Sequence, residues 1–271
     1  MTYFGFLALF LGIPLILLVS LTKRDVRRGR MLPARLCSWP ARFVILAHIV
    51  VAVLYTTPWD NYLVATGVWW YDPRLVTGVV LGWVPIEEYT FFVLQTLAMG
   101  LLLIVLAKRL PMPADSPTQP PGRTGVRVVA TAITGIIWLT STVVLLSGWA
   151  PGTYLTLILS WALIPVIVQL AIGADILWRY RRLVFWTLAP ATLYLGLADA
   201  LAIGAGTWTI DPAQSTGILI GALPLEEALF FLMTNLLVVF GMVLVLAAET
   251  QERAPKAVLR VIKLFAQPQG A

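Results

Sequence analysis

The chain has 271 residues, of which 59% are hydrophobic and only 12% charged. A soluble globular domain carries charge on about a quarter of its residues, so a water-soluble enzyme or binding module is excluded. The net charge of +6 is then not a nucleic-acid signal but a report of where basic residues sit against a membrane. A single cysteine, Cys37, excludes an intrachain disulfide and a cysteine metal cluster, and a single histidine, His48, excludes a multi-histidine metal site.

In chain order, apolar windows predict seven spanning helices, over about 3–21, 43–63, 77–107, 127–147, 152–173, 183–204 and 216–248. The expected class is an all-α polytopic membrane protein. The first window has no basic segment before it and no small-residue cleavage site, so it reads as a span rather than a cleaved leader. Of the Lys and Arg residues, all but Arg74 fall in one alternate set of loops, between spans one and two, three and four, five and six, and after seven. The positive-inside rule then places the N-terminus outside and the C-terminus in the cytoplasm, across the cytoplasmic membrane. The Pro-rich loop 110–125 is the natural seam between halves. The tail after Glu249 mixes basic and apolar residues, which suits either contact with anionic lipid or a solvated tail.

The chain repeats itself. At a constant offset of 139, Tyr55 matches Tyr194, Asp60 matches Asp199, Trp69 matches Trp208 and Asp72-Pro73 matches Asp211-Pro212. At an offset of 151, Thr2-Tyr3 matches Thr153-Tyr154 and Ile13-Pro14 matches Ile164-Pro165. This predicts a first three-helix repeat over 1–109, a loop and connector helix over 110–150, a second repeat over 151–249 and a basic tail over 250–271. Four spans separate corresponding helices, so the halves have the same orientation, a parallel repeat about an axis along the membrane normal.

Both halves carry a proline followed by paired carboxylates: Pro85-Ile86-Glu87-Glu88 and Pro224-Leu225-Glu226-Glu227. Ionisable groups inside a span are costly and mark function. The two spans are long, roughly 45 Å at ~1.5 Å per residue, with each proline about eight residues in, where it would bend the helix beside the glutamates. Desolvation and a like charge next door favour a neutral carboxylic acid, which can donate a proton while its neighbour takes one back. Phe91, Phe92, Phe230 and Phe231 would exclude water and offer ring faces to a transient cation, although Phe-Phe pairs in a span also serve packing. Asp60 and Asp199 either orient the glutamates or cap helices. Asp72 and Asp211, before proline, read as turn residues, and His48 as a hydrogen-bonded interior residue.

These doubled motifs resemble the integral-membrane lycopene cyclase family, in its fused single-chain form, over essentially residues 2–248. The resemblance implies a lipid-phase carotenoid substrate, lycopene, converted through γ-carotene to β-carotene without net redox change. It implies Glu87, Glu88, Glu226 and Glu227 as catalytic candidates, with acid and base unassigned, and requires no redox cofactor. A Gly-x-Gly-x-x-Gly nucleotide turn is absent from the sequence, as that chemistry allows. Two other readings stay open: a carotenoid hydratase, in which water ends the cation, and a proton-coupled transporter with carboxylates in the span. A retinal photoreceptor is disfavoured, because every lysine lies at a span end or in a loop.

Overall fold

The computed structural model describes residues 1–113 and 123–253. Among them are seven helical segments long and apolar enough to cross a membrane: Tyr3–Arg27, Ala34–Ala65, Ile86–Ala107, Thr124–Leu146, Ala150–Arg179, Arg181–Gly204 and Leu225–Leu246. The protein is therefore a multi-pass membrane protein. Most of the loop 110–125 and the tail from 254 onward lie outside the described residues, and so does the reading of that tail as a lipid contact.

The first span is three pieces in line: α1 (Tyr3–Leu7), a π-turn (Ala8–Gly12) and α2 (Ile13–Arg27). The others are α3 (Ala41–Ala65), α4 (Ile86–Ala107), α5 (Thr124–Leu146), α6 (Thr153–Arg179), α7 (Arg181–Gly204) and α8 (Leu225–Leu246), followed by a short α9 (Ala248–Arg253). Helices α4 and α8 are the most buried; α4 packs on α2, α3, α7 and α8, and α8 packs also on α3, α6 and α7. Between α4 and α8, Gln95 donates to Thr234 at 3.0 Å and to Asn235 at 2.9 Å. A lone amide here would be an unpaired polar group in an apolar bundle, so each partner supplies what the other lacks. Helix α5 packs mainly on α6 and buries little of its own surface.

Two expectations are corrected. The protein is not all-α: short strands β1 (Trp69–Tyr71), β2 (Val80–Leu81), β3 (Val84–Pro85), β4 (Trp208–Ile210), β5 (Leu219–Ile220) and β6 (Leu223–Pro224) form three two-stranded sheets, β1–β4, β2–β3 and β5–β6. The long spans expected over 77–107 and 216–248 are instead hairpins followed by helices of 22 residues each, roughly 33 Å long. Gly82 and Gly221, at φ 72 and 66, turn the hairpins with a backbone that other residues adopt at a cost. Pro85 and Pro224 then stand as N-caps, where the missing N–H breaks no helical bond. They start the helices and do not bend them.

At the opposite, basic end, Arg109 grips the buried Asp25 through two bonds of 2.7 and 2.9 Å, tying the end of α2 to the end of α4. Arg253 holds Asp175 in the same forked manner, at 2.8 and 2.5 Å. His48 shares a 2.7 Å hydrogen bond with the Val44 carbonyl, a helix-internal contact.

Candidate active site

The site is built on the two hairpin-to-helix junctions. In the first, Ile86 N–H donates to the Val79 carbonyl at 2.9 Å and Thr77 N–H donates to Glu87 Oε1 at 2.6 Å. In the second, Leu225 N–H donates to Ile218 at 2.9 Å, while the backbone N–H and hydroxyl of Thr216 donate to Glu226 Oε1 at 2.6 and 2.7 Å. Glu87 and Glu226 thus tie each hairpin to its helix and do not line the cavity described next.

The neighbouring carboxyls do. Glu88 and Glu227 sit about 100° further round their helices and line one shared cavity of about 40 Å³. Both lie in the first turn of a helix, where the positive end of the helix dipole offsets part of the cost of a buried negative charge. The sequence reading set them deep in long spans; they instead stand at the hairpin end of the membrane helices.

Each of these two carboxyls accepts a tyrosine phenol, one from α1 and one from α6. Tyr3 donates its phenol to Glu88, and Tyr154 donates to Glu227 at 2.6 Å. The backbone of each is pinned to the loop before the hairpin: Tyr3 N–H to Leu75 at 2.8 Å, Tyr154 N–H to Gln214 at 3.0 Å. Glu88 takes a second phenol, Tyr71, at 3.1 Å. Burial, then the charge of Glu88, pushes the Tyr71 phenol well above its ordinary value, so it remains a donor. Position 210, which matches Tyr71 at the repeat offset, is isoleucine, so Glu227 receives no such second phenol.

Rings close the rest of the cavity. Phe91, Phe230 and Phe231 line it from the two central helices, and Trp69 and Trp208 from the β1–β4 sheet. Phe92 does not line it; its buried ring packs edge-on against Tyr89 and Phe91. Asp199 lines the cavity and accepts Trp208 Nε1–H at 3.0 Å. Asp60 is buried but lines no part of it, and neither carboxyl oxygen has a hydrogen-bond partner among the described residues. Asp72 and Asp211 are turn residues: Asp72 accepts the backbone and guanidinium of Arg74, which hold its carboxyl down at about 2, and Asp211 accepts Ala213 N–H at 3.0 Å.

Six of the rings that line the cavity are not singled out by the sequence as site residues: Tyr3, Phe6, Trp69, Tyr71, Tyr154 and Trp208. Tyr3 with Tyr154, and Trp69 with Trp208, were visible as repeated positions, but nothing in the pattern put them against the glutamates. Tyr71 carries no repeat signal at all. Among the described residues no Lys or Arg lines the cavity, and no cluster of three metal-binding side chains occurs. The arrangement offers carboxyl protons, phenol donors and ring faces to an apolar guest.

The Lycopene cyclase family profile matches residues 1–107 and 151–245, which leaves out helix α5. A lycopene beta-cyclase of Halobacterium salinarum is 38% identical over 245 residues, covering 90% of this chain and 95% of that protein. A bifunctional lycopene cyclase/phytoene synthase of Podospora anserina is 41% identical over 199 residues, 72% of this chain but 33% of the fungal protein. The corresponding Aspergillus niger protein is 38% identical over 209 residues, covering 74% and 34%. No solved structure matches. By family profile and by the reach of these similarities, the chain belongs to the lycopene cyclase family.

Proposed function

We propose that the protein is a lycopene beta-cyclase, converting lycopene through γ-carotene to β-carotene within the cytoplasmic membrane. The observation that carries this reading is the shared cavity, in which three carboxyls, three phenols and a shell of aromatic rings meet with no Lys or Arg among the described residues that line it. An acid there protonates the terminal double bond of a linear end group and makes a tertiary cation. The internal double bond closes on that cation, and loss of a ring proton to the base leaves a β-ring. One proton enters and one leaves, so the product is an isomer of the substrate.

Glu88 and Glu227 are the proposed acid–base pair. Hydrogen bonds to the charged form favour it, and Glu88 accepts two phenols where Glu227 accepts one. Glu88 is therefore assigned as base and Glu227 as acid. Glu87 and Glu226 hold the hairpins that carry their neighbours. Phe91, Phe230 and Phe231 face the cation, and Asp199 supports the site through Trp208. The aromatic rings that line the cavity keep bulk water from the cation, which favours proton loss over hydration.

The two halves are proposed to be parallel three-helix repeats joined by α5. The β1–β4 register supports this: Trp70 pairs with Thr209, its own counterpart, while Trp69 pairs with Ile210 and Tyr71 with Trp208. Exchange of partners about a self-paired position is what a two-fold axis between the halves requires. The basic loops at the other end of the bundle support a cytoplasmic C-terminus, with the cavity toward the outer face.

Expression in a lycopene-accumulating host tests the function. The expected result is β-carotene, with the mass of lycopene and a shifted retention time. Lycopene left unchanged, or a pigment heavier by one water, would overturn it.

A further inference from the structure

A carotenoid whose end group reaches Glu88 and Glu227 must pass its long polyene chain out between helices into the lipid, and the cavity of about 40 Å³ must widen to take that end group. Two seams between the halves are related by the repeat offsets. One lies between α3 and α6, where Tyr55 meets Trp161. The other lies between the π-turn and α7, where Phe10 meets Tyr194, the counterparts of Trp161 and Tyr55.

The α3–α6 seam is latched. Tyr55 and Trp161 stack with centroids 5.5 Å apart, and the Tyr55 hydroxyl donates to the Trp161 carbonyl at 2.9 Å. Trp161 Nε1–H donates back to the Tyr55 carbonyl at 3.5 Å. Trp59 fills the space behind, stacked on Trp161 at 4.4 Å and on Phe230 at 5.8 Å, and donates to the Leu157 carbonyl at 3.2 Å.

The other seam has none of these ties. Phe10 and Tyr194 meet tilted, with centroids 6.5 Å apart. The position matching Trp59 is Ala198, so α7 places no ring behind Phe10 as α3 places Trp59 behind Trp161. The helix beside it carries a π-turn at Ala8–Gly12, a widened turn often found at functional sites, whereas the matching stretch of α6 is α-helical. From the half-exposed Tyr194, a line of rings leads inward: Phe10 to Phe6 at 5.2 Å, then Phe6 to Trp208 at 5.1 Å. Phe6 and Trp208 both line the cavity.

We propose that the seam at Phe10, Tyr194 and Ala198 is the binding site for the polyene chain of a linear carotenoid and its way in from the lipid, while the Tyr55–Trp161 seam stays shut. This rests on the cyclase reading given above. Phe10 and Tyr194 swing apart to admit the chain, and the ring line guides the end group to the two carboxyls.

The test uses the full chain with Cys37→Ser as parent. Phe10→Cys with Tyr194→Cys, and separately Tyr55→Cys with Trp161→Cys, are joined by a short cleavable thiol cross-linker, and cyclisation is measured before linking, after linking and after cleavage. The Phe10/Tyr194 pair is expected to lose at least about tenfold in rate on linking and to regain it on cleavage, and the Tyr55/Trp161 pair to keep its rate. No loss at Phe10/Tyr194, or equal loss at both pairs, would overturn the proposal. Ala198→Trp, which places a ring on α7 where α3 carries Trp59, is a second route: at unchanged melting temperature it is expected to cut kcat/KM for lycopene at least about tenfold, and full activity would contradict the site. An active parent separates failure of this seam from failure of the cyclase reading, which an inactive parent would mean.

Discussion

Tyr154 donates its phenolic hydrogen to Glu227 across 2.6 Å, from a backbone position fixed by its own N–H on Gln214. The phenol thereby sets the carboxyl's direction toward the cavity. Tyr154→Phe removes a hydrogen bond to a charged or reacting group, about 1.5–3 kcal/mol, and is expected to slow cyclisation roughly ten- to a hundredfold. Tyr3→Phe should cost somewhat less than Tyr154→Phe, because Tyr71 still donates to Glu88 at 3.1 Å. Tyr71→Phe should cost less, because Tyr3 still holds Glu88. Initial rates of pigment formation at equal protein levels check the order.

Adjacent glutamates should behave differently. Glu88→Gln and Glu227→Gln each remove a proton-transfer group, a loss of about a hundredfold or more, with little change in melting temperature. In Glu87→Gln and Glu226→Gln the amide oxygen can still accept Thr77 or Thr216, so activity is expected to fall far less. Equal loss at all four positions would contradict the division of roles.

The turn glycines are also unequal. At Gly82 an added Cβ would lie 2.2 Å from Asn61 Oδ1, the atom that accepts Trp83 N–H at 2.7 Å. At Gly221 an added Cβ meets nothing within 4 Å. Both have positive φ, which costs alanine about 1 kcal/mol. Gly82→Ala should therefore lower the melting temperature more than Gly221→Ala, because it also displaces Asn61. Thermal unfolding in detergent measures the difference.

Seven spans could be read from the sequence because hydropathy and the basic loops agree, and both reflect one constraint: charge avoids the hydrocarbon. The Pro-x-Glu-Glu motifs were legible as a site because the repeat doubled them. Their local geometry was not. Apolar hairpin residues such as Val80, Leu81, Val84 and Ile220 have the same hydropathy as a helix in lipid, so each hairpin was read as the start of a span and its proline as a kink. The roles of Glu87 and Glu88 could not be separated by composition, since only the return of Thr77 beneath the helix start gives Glu87 a partner. Tyr3 and Tyr154 reach the glutamates across 85 and 73 residues, a contact no local pattern encodes.

One shared cavity also predicts the order of events. A single end group is cyclised at a time, so γ-carotene should rise and fall before β-carotene dominates in a time course with limiting lycopene. β-Carotene formed with no one-ring pigment at any time would argue for two independent sites.

If a proton from an enzyme carboxyl starts ring closure, deuterium uptake from the solvent reports that proton. Membranes equilibrated in deuterium oxide and given lycopene should yield β-carotene carrying one deuterium per ring, because the added hydrogen stays and a different one leaves. β-Carotene formed in deuterium oxide without deuterium in its rings would rule out an exchangeable carboxyl proton as the trigger.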